Sequence, residues 1–174
     1  MMNDLDFLKL AFKEAKKAYV QDEVPVGALI VINGEIIAKA HNKKESLKDP
    51  TLHAEIEVIK KACKVLGRKI LDDATIYITL EPCLMCAGAI LNARIKKIVY
   101  GAKAPKFGVL TSLGNVFEDF KFNHELEVVG PLMEDEVSEI MKSFFKIKDS
   151  NLEKKKGKCY NDKGSYFKSL YPIS

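Results

Sequence analysis

The chain has 174 residues, 28 basic and 24 acidic side chains, a formal net charge of +4 and 47% hydrophobic residues, a composition that suits one domain with a sizeable core. No apolar run is long enough to span a bilayer, and the start Met1-Met2-Asn3-Asp4 lacks the charged and apolar regions of a signal peptide, so a cytoplasmic protein with no membrane partner is expected. Residues 151–174 carry six lysines against Glu153 and Asp162 and account for the whole charge excess. The net charge is therefore no argument that the domain itself binds nucleic acid, whereas the extension is either a solvated terminus or an electrostatic contact.

An apolar stripe of Phe7, Leu8, Ala11, Phe12, Ala15 and Ala18 predicts a helix from Asp4 to Tyr19. Val26–Ile32 and Glu35–Ala40 read as strands, joined by Asn33-Gly34 as a two-residue hairpin turn. Asp49-Pro50 predicts the cap and first residue of a helix that continues through Ile56, Val58, Ile59, Ala62, Cys63 and Leu66 to Gly67. Ala74–Leu80, rich in β-branched and aromatic residues, is a strand, and Pro82 opens a second helix with Cys83 and Cys86 on one face, ending near Ala93. A strand over Lys97–Gly101, an irregular stretch, a short helix near Ser112–Glu118, a strand at Glu125–Val129 and a helix over Asp135–Phe145 follow. Alternating strands and helices predict a layered α/β domain over residues 1–150, followed by the basic extension 151–174.

Three residues in these elements form a zinc-ligand set. A catalytic zinc takes three protein ligands and keeps one position for water. His53, Cys83 and Cys86 supply that number, with two thiolates offsetting the metal's charge and an imidazole completing a borderline-soft set, one ion per subunit. Zinc lowers the pKa of water from about 16 to about 7. Glu55 is left over as a non-ligand, free to take a proton from water and deliver it to a ring nitrogen while an amine leaves. Each fragment alone has an ordinary reading: Cys-x-x-Cys as a redox pair or half of a structural clip, His-x-Glu as a polar helix face. Together they make the His-x-Glu and Pro-Cys-x-x-Cys signature general to zinc nucleobase deaminases. Cys63 falls on the apolar face of its helix and reads as a reduced, structural thiol.

The chain resembles bacterial tRNA-specific adenosine deaminases from about Leu5 to Lys148. The likeness is carried by Glu23-Val24-Pro25-Val26-Gly27-Ala28, Ala40-His41-Asn42, Asp49 through Glu55, Tyr77 through Ala89, Phe122-Asn123-His124 and Ser143-Phe144-Phe145. Pro25-Val26-Gly27 stands where free-base guanine deaminases usually carry Pro-Phe-Gly. The resemblance implies the three-layer α/β/α fold of the cytidine-deaminase type, with a central mixed sheet of about five strands. It implies hydrolytic conversion of adenosine to inosine at the wobble position of a tRNA anticodon, typically that of an arginine tRNA, by a homodimer. Zinc would sit on His53, Cys83 and Cys86, Glu55 would move protons, Asn42 would contact the flipped nucleoside, and the backbone N–H of Ala54 would recognise the base edge.

The implied partner is an anticodon stem-loop whose adenosine is everted from an already splayed loop. Lys103, Lys106, Lys146 and Lys148 are candidate phosphate contacts, with solvated surface as their ordinary reading. Asn123 and His124 are candidate RNA contacts on the family match alone. Phe144 and Phe145 read first as core packing; the family places their helix beside the anticodon loop, which makes Phe145 a candidate contact as well. Three positions depart from the family. Ala104 replaces an acidic residue and removes an acceptor for a sugar hydroxyl, which loosens the expected preference for RNA. Glu125 occupies a place that is often basic, and Thr111 replaces a small residue. Two other functions stay open on the residues: deamination of free nucleobases or nucleosides such as guanine or cytosine, and a non-catalytic, zinc-stabilised RNA-binding module. Glu55 argues against the latter, since a structural site needs no proton carrier.

Overall fold

A computed structural model describes residues 1–122 and 124–156. Its centre is a five-stranded sheet of β1 (Gly27–Ile32), β2 (Glu35–His41), β3 (Ala74–Leu80), β4 (Lys97–Ala102) and β5 (Glu127–Val129), in the order β2-β1-β3-β4-β5. β1 runs antiparallel to β2 and β3, whereas β3, β4 and β5 are parallel. The β1–β2 hairpin follows from Asn33 and Gly34, whose φ angles of 50° and 80° are the left-handed pair that a type I′ turn requires.

Helices α1 (Asp4–Val20), α2 (Ala54–Leu66), α3 (Leu84–Asn92), α4 (Val116–Asp119) and α5 (Glu134–Lys156) complete the fold. Successive strand residues point to opposite faces, so each buried strand supplies two cores. On one face Ala28, Ile30, Ile76, Ile78, Ile98 and Tyr100 meet Ala54, Val58 and Ala62 of α2 and Ile90 of α3. On the other, Leu29, Val31, Tyr77 and Val99 meet Phe7, Leu8 and Ala11 of α1 and Val137, Met141, Phe144 and Phe145 of α5. The expected three-layer α/β/α architecture is therefore present. Every residue of β1 is buried, which explains its continuous apolar run without alternation.

Several boundaries differ from the sequence expectation, each for a local reason. The helix expected at Asp49-Pro50 begins at Ala54, with His53 as its N-cap. Asp49 instead accepts the Thr51 N–H at 2.8 Å and the Thr51 hydroxyl at 2.7 Å, a turn that competes with helix initiation. The helix after Pro82 begins at Leu84, with Cys83 as its N-cap. α4 starts at Val116 rather than Ser112 because the Asn115 side chain accepts the Phe117 N–H at 3.2 Å. The last strand is confined to Glu127–Val129, and α5 continues well past Phe145 to Lys156. Residues 157–174 of the basic extension lie outside the described residues.

α1 crosses β1 at a point that tolerates only glycine. A Cβ on Gly27 would lie 2.1 Å from the Ala11 carbonyl oxygen and 2.5 Å from the Ala15 nitrogen, both backbone atoms of the helix. Gly27→Ala must push α1 away from the sheet, with an expected cost of about 1–3 kcal/mol. The readout is a lower urea midpoint at unchanged slope; an unshifted midpoint would mean that the helix–strand contact has slack.

Candidate active site and metal centre

Two helix starts bring three donor atoms together at one end of the sheet. Pro82 has no N–H to extend the β3 ladder, so the chain turns there and places Cys83 at the start of α3. His53 holds the matching position at the start of α2, and neither side chain makes a capping hydrogen bond. His53 Nδ1 lies 3.7 Å from Cys83 Sγ and 3.5 Å from Cys86 Sγ, and all three donors fall within 4.8 Å of one another. A tetrahedral ion with bonds of about 2.3 Å to sulfur and about 2.0 Å to nitrogen spaces such neighbours roughly 3.5 Å apart. The group fits zinc in both spacing and donor chemistry.

The three donors are electrically coupled. A hydrogen bond from Cys86, opposed by burial and helped by the His53 ring, lowers the Cys83 thiol to about 4. The same bond, with burial, pushes the Cys86 thiol up. The bond to Cys83 also raises His53 despite its burial. A metal needs all three donors deprotonated, so its uptake must release protons.

Glu55 occupies the first turn of α2 and is 4% exposed. Its Oε2 is the only buried side-chain oxygen or nitrogen among the described residues that lacks a hydrogen-bond partner. Burial raises its pKa against the pull of His53. Such an orphaned atom is costly to a fold and calls for a functional explanation. Asn42, buried just after β2, accepts the Ala54 N–H on its Oδ1 at 2.8 Å. The two predicted nucleoside contacts are therefore bonded to each other, one residue from His53.

The predicted RNA contacts have varied settings. Lys103, Lys106 and Lys146 are exposed. Lys148 is ion-paired with Asp22 and lies 5.4 Å from the centre of the Phe144 ring. Phe145 is 6% exposed and packs edge-on to Phe144 in the core between α5 and the sheet. It offers no free face to a base, because its ring is part of that packing. His124 is half-buried, with Nε2 2.8 Å from the Ile95 carbonyl oxygen. Asn123 lies outside the described residues.

A layered α/β fold with a His-Cys-Cys group beside a buried glutamate whose Oε2 has no partner defines a deaminase that hydrolyses C–N bonds. The family model for MafB19-like deaminases matches residues 2–148. The tRNA-specific adenosine deaminase of Bacillus subtilis (strain 168) is 48% identical over 156 residues, covering 90% of this chain and 94% of the relative. A solved chain from biochemical and structural studies of A-to-I editing by tRNA:A34 deaminases at the wobble position of transfer RNA matches with a TM-score of 0.74 and 46% identity, over 77% of this chain and 97% of that one. The guanine deaminase of Bacillus subtilis matches less well, with a TM-score of 0.58 and 32% identity over 93% of this chain and 98% of its own. The chain belongs to the MafB19-like deaminase family, among the tRNA-specific adenosine deaminases.

Two buried carboxylates that organise the surroundings were not singled out by motif. Glu81 follows β3 directly, and its carboxylate accepts backbone N–H groups from Ala104, Leu110, Thr111 and Ser112. Glu23 accepts the N–H of Glu45 at 2.9 Å and of Ser46 at 2.6 Å, which shapes the segment leading to His53. The available signal was a charge within two residues of a proline, in Glu23-Val24-Pro25 and Leu80-Glu81-Pro82; such a charge is buried only when it is paired. Burial opposes the charge on Glu23, but the N–H donors of Glu45 and Ser46 outweigh it and hold the carboxyl below its usual 4.5. Folding lowers this pKa, so the stabilisation is complete above about pH 4.5 and disappears as pH falls through the lowered value. Glu23→Gln should destabilise the protein at neutral pH and flatten the fall of Tm in acid. Identical Tm–pH curves for variant and wild type would remove Glu23 from the account.

Proposed function

We infer that this chain deaminates adenosine to inosine at the wobble position of a tRNA anticodon, that of an arginine tRNA, with zinc on His53, Cys83 and Cys86. The observation that carries the reading is the buried, unpartnered Oε2 of Glu55 beside three convergent donors. A binding module gains nothing from such an atom, whereas a proton carrier requires one. The substrate class rests on the identity to the Bacillus subtilis tRNA-specific adenosine deaminase and on the match to a tRNA:A34 deaminase chain.

Zinc in this set supplies Lewis acidity and lowers the pKa of water. Glu55 takes a proton from the attacking water and delivers it at N1 of adenine, then passes that water's second proton to the departing amine, so that the water oxygen replaces the amine and ammonia leaves. The Asn42 amide just after β2 and the Ala54 N–H at the start of α2 orient the nucleoside. An unpaired loop makes eversion of the base less costly than extraction from a duplex. Lys103, Lys106 and Lys146 offer phosphate contacts, so affinity falls as salt rises. The chain works as a homodimer; Leu84 and Met85 at the start of α3 are exposed apolar surface for a second copy. The catalytic domain is residues 1–150, the basic 151–174 is an extension, and the enzyme acts in the cytoplasm; no described helix is long and apolar enough to cross a membrane.

Purified protein should convert the wobble adenosine of an arginine anticodon stem-loop to inosine, followed by mass spectrometry alongside free nucleobases. Consumption of guanine with an untouched stem-loop would transfer the assignment to the guanine deaminases. Glu55→Ala should retain about one zinc per chain and lose at least about 100-fold in turnover. Cys86→Ser should lose zinc by elemental analysis. Full turnover by the Glu55 variant would end its role as proton carrier.

A further inference from the structure

We propose that Glu81 is a positioning residue for the RNA substrate, its buried carboxylate holding the loop of residues 103–113 against the turn that delivers Cys83. The inference rests on the wobble-deaminase reading. Glu81 is 3% exposed. Its Oε1 accepts the N–H groups of Leu110 at 2.9 Å, Thr111 at 2.7 Å and Ser112 at 3.0 Å, and its Oε2 accepts the Ala104 N–H at 3.0 Å and the Ser112 hydroxyl. Only an ionised carboxylate offers acceptors, and no donor, on both oxygens. The loop also closes tightly over this group: a Cβ on Gly108 would lie 2.2 Å from Glu81 Oε2. A second tether joins the loop to the same turn, since the Val109 N–H donates to the Pro82 carbonyl at 3.2 Å. The Val109 carbonyl in turn accepts the Val116 N–H at 2.9 Å, which carries the constraint into α4.

This inward pull decides what the loop shows to solvent. Ala104, Gly108 and Leu110 are buried, while Lys103, Lys106 and Phe107 are exposed, Phe107 by 47%. Two cations beside an exposed ring are the chemistry that holds single-stranded RNA, the cations on phosphate and the ring under a base. Irregular loops are mobile unless tied down. Glu81 ties this one to the turn two residues before Cys83, which sets the RNA-facing groups at a fixed distance from the reacting base.

Glu81→Gln preserves size but sets an amide donor against at least one of the loop N–H groups. With the arginine stem-loop as probe, its Kd is expected to rise roughly 10-fold, the size of one weakened base-stacking contact, with KM following, while kcat and zinc content stay at wild-type values. Backbone amide exchange across residues 104–112 should quicken. Ser112→Ala removes a single donor and should move the same readouts less, and it carries the test if the first variant does not fold. Unchanged Kd and exchange in a folded variant, or a fall in kcat accompanied by zinc loss, would overturn the proposal. A wild-type protein that neither binds nor converts the stem-loop would instead sink the functional reading, so the two failures are told apart by the wild-type control.

Discussion

The site depends on two helices whose first side chains are turned away from their own backbones. An N-cap side chain normally accepts an N–H of the first turn, and its loss costs about 1 kcal/mol. His53 and Cys83 both forgo that bond and converge with Cys86. The positive ends of α2 and α3 then lie beside sulfur and carboxylate groups, which favours negative charge there. The remaining structure holds these two starts at a separation that only a long-range framework can specify. β3 lies between β1 and β4, so the end of β3 and the start of α2 are referred to one rigid sheet, with Ala54 and Ile78 in the same core.

Three glutamates surround this arrangement, and their environments sort them by role. Glu23 and Glu81 are buried; burial would raise both carboxyls, but converging donors, backbone N–H groups on Glu23 and the Ser112 hydroxyl with backbone N–H groups on Glu81, hold them below the usual range. Glu55 is equally buried, but its Oε2 has no donor, and burial moves its pKa in the other direction. One residue type therefore supplies two fixed anions that shape loops and one carboxyl suited to exchanging a proton. Residues pushed apart in this way are how a fold separates scaffold from chemistry.

What could be read from sequence was local. The Asn33-Gly34 turn, the strand at Ala74–Leu80 and the apolar stripe of α1 are decided by neighbours a few residues away, and all three appear where expected. The convergence of His53, Cys83 and Cys86 was legible through residue type and spacing, because few other arrangements use those side chains together. The start of α2 was misplaced because Asp49 suits a turn as well as a cap, and Thr51 decides between them. Glu81 was harder to read for a different reason: its partners lie 23 to 31 positions away, and the charge beside Pro82 does not say what they are. Phe145 belonged to the core, as its apolar helix indicated, and the family match added a second reading that its packing does not favour.

The bond between Asn42 and Ala54 bears on selectivity. The backbone donor at the head of α2 is already satisfied before any ligand arrives, so a nucleoside that reaches it swaps one hydrogen bond for another with little net gain. Attraction must then come from parts of the ligand remote from the base. Adenosine drifting alone through the cell carries no such handle, and a polymer does. A preoccupied amide thus lowers the gain from every adenosine alike and leaves the choice between monomer and polymer to those remote contacts.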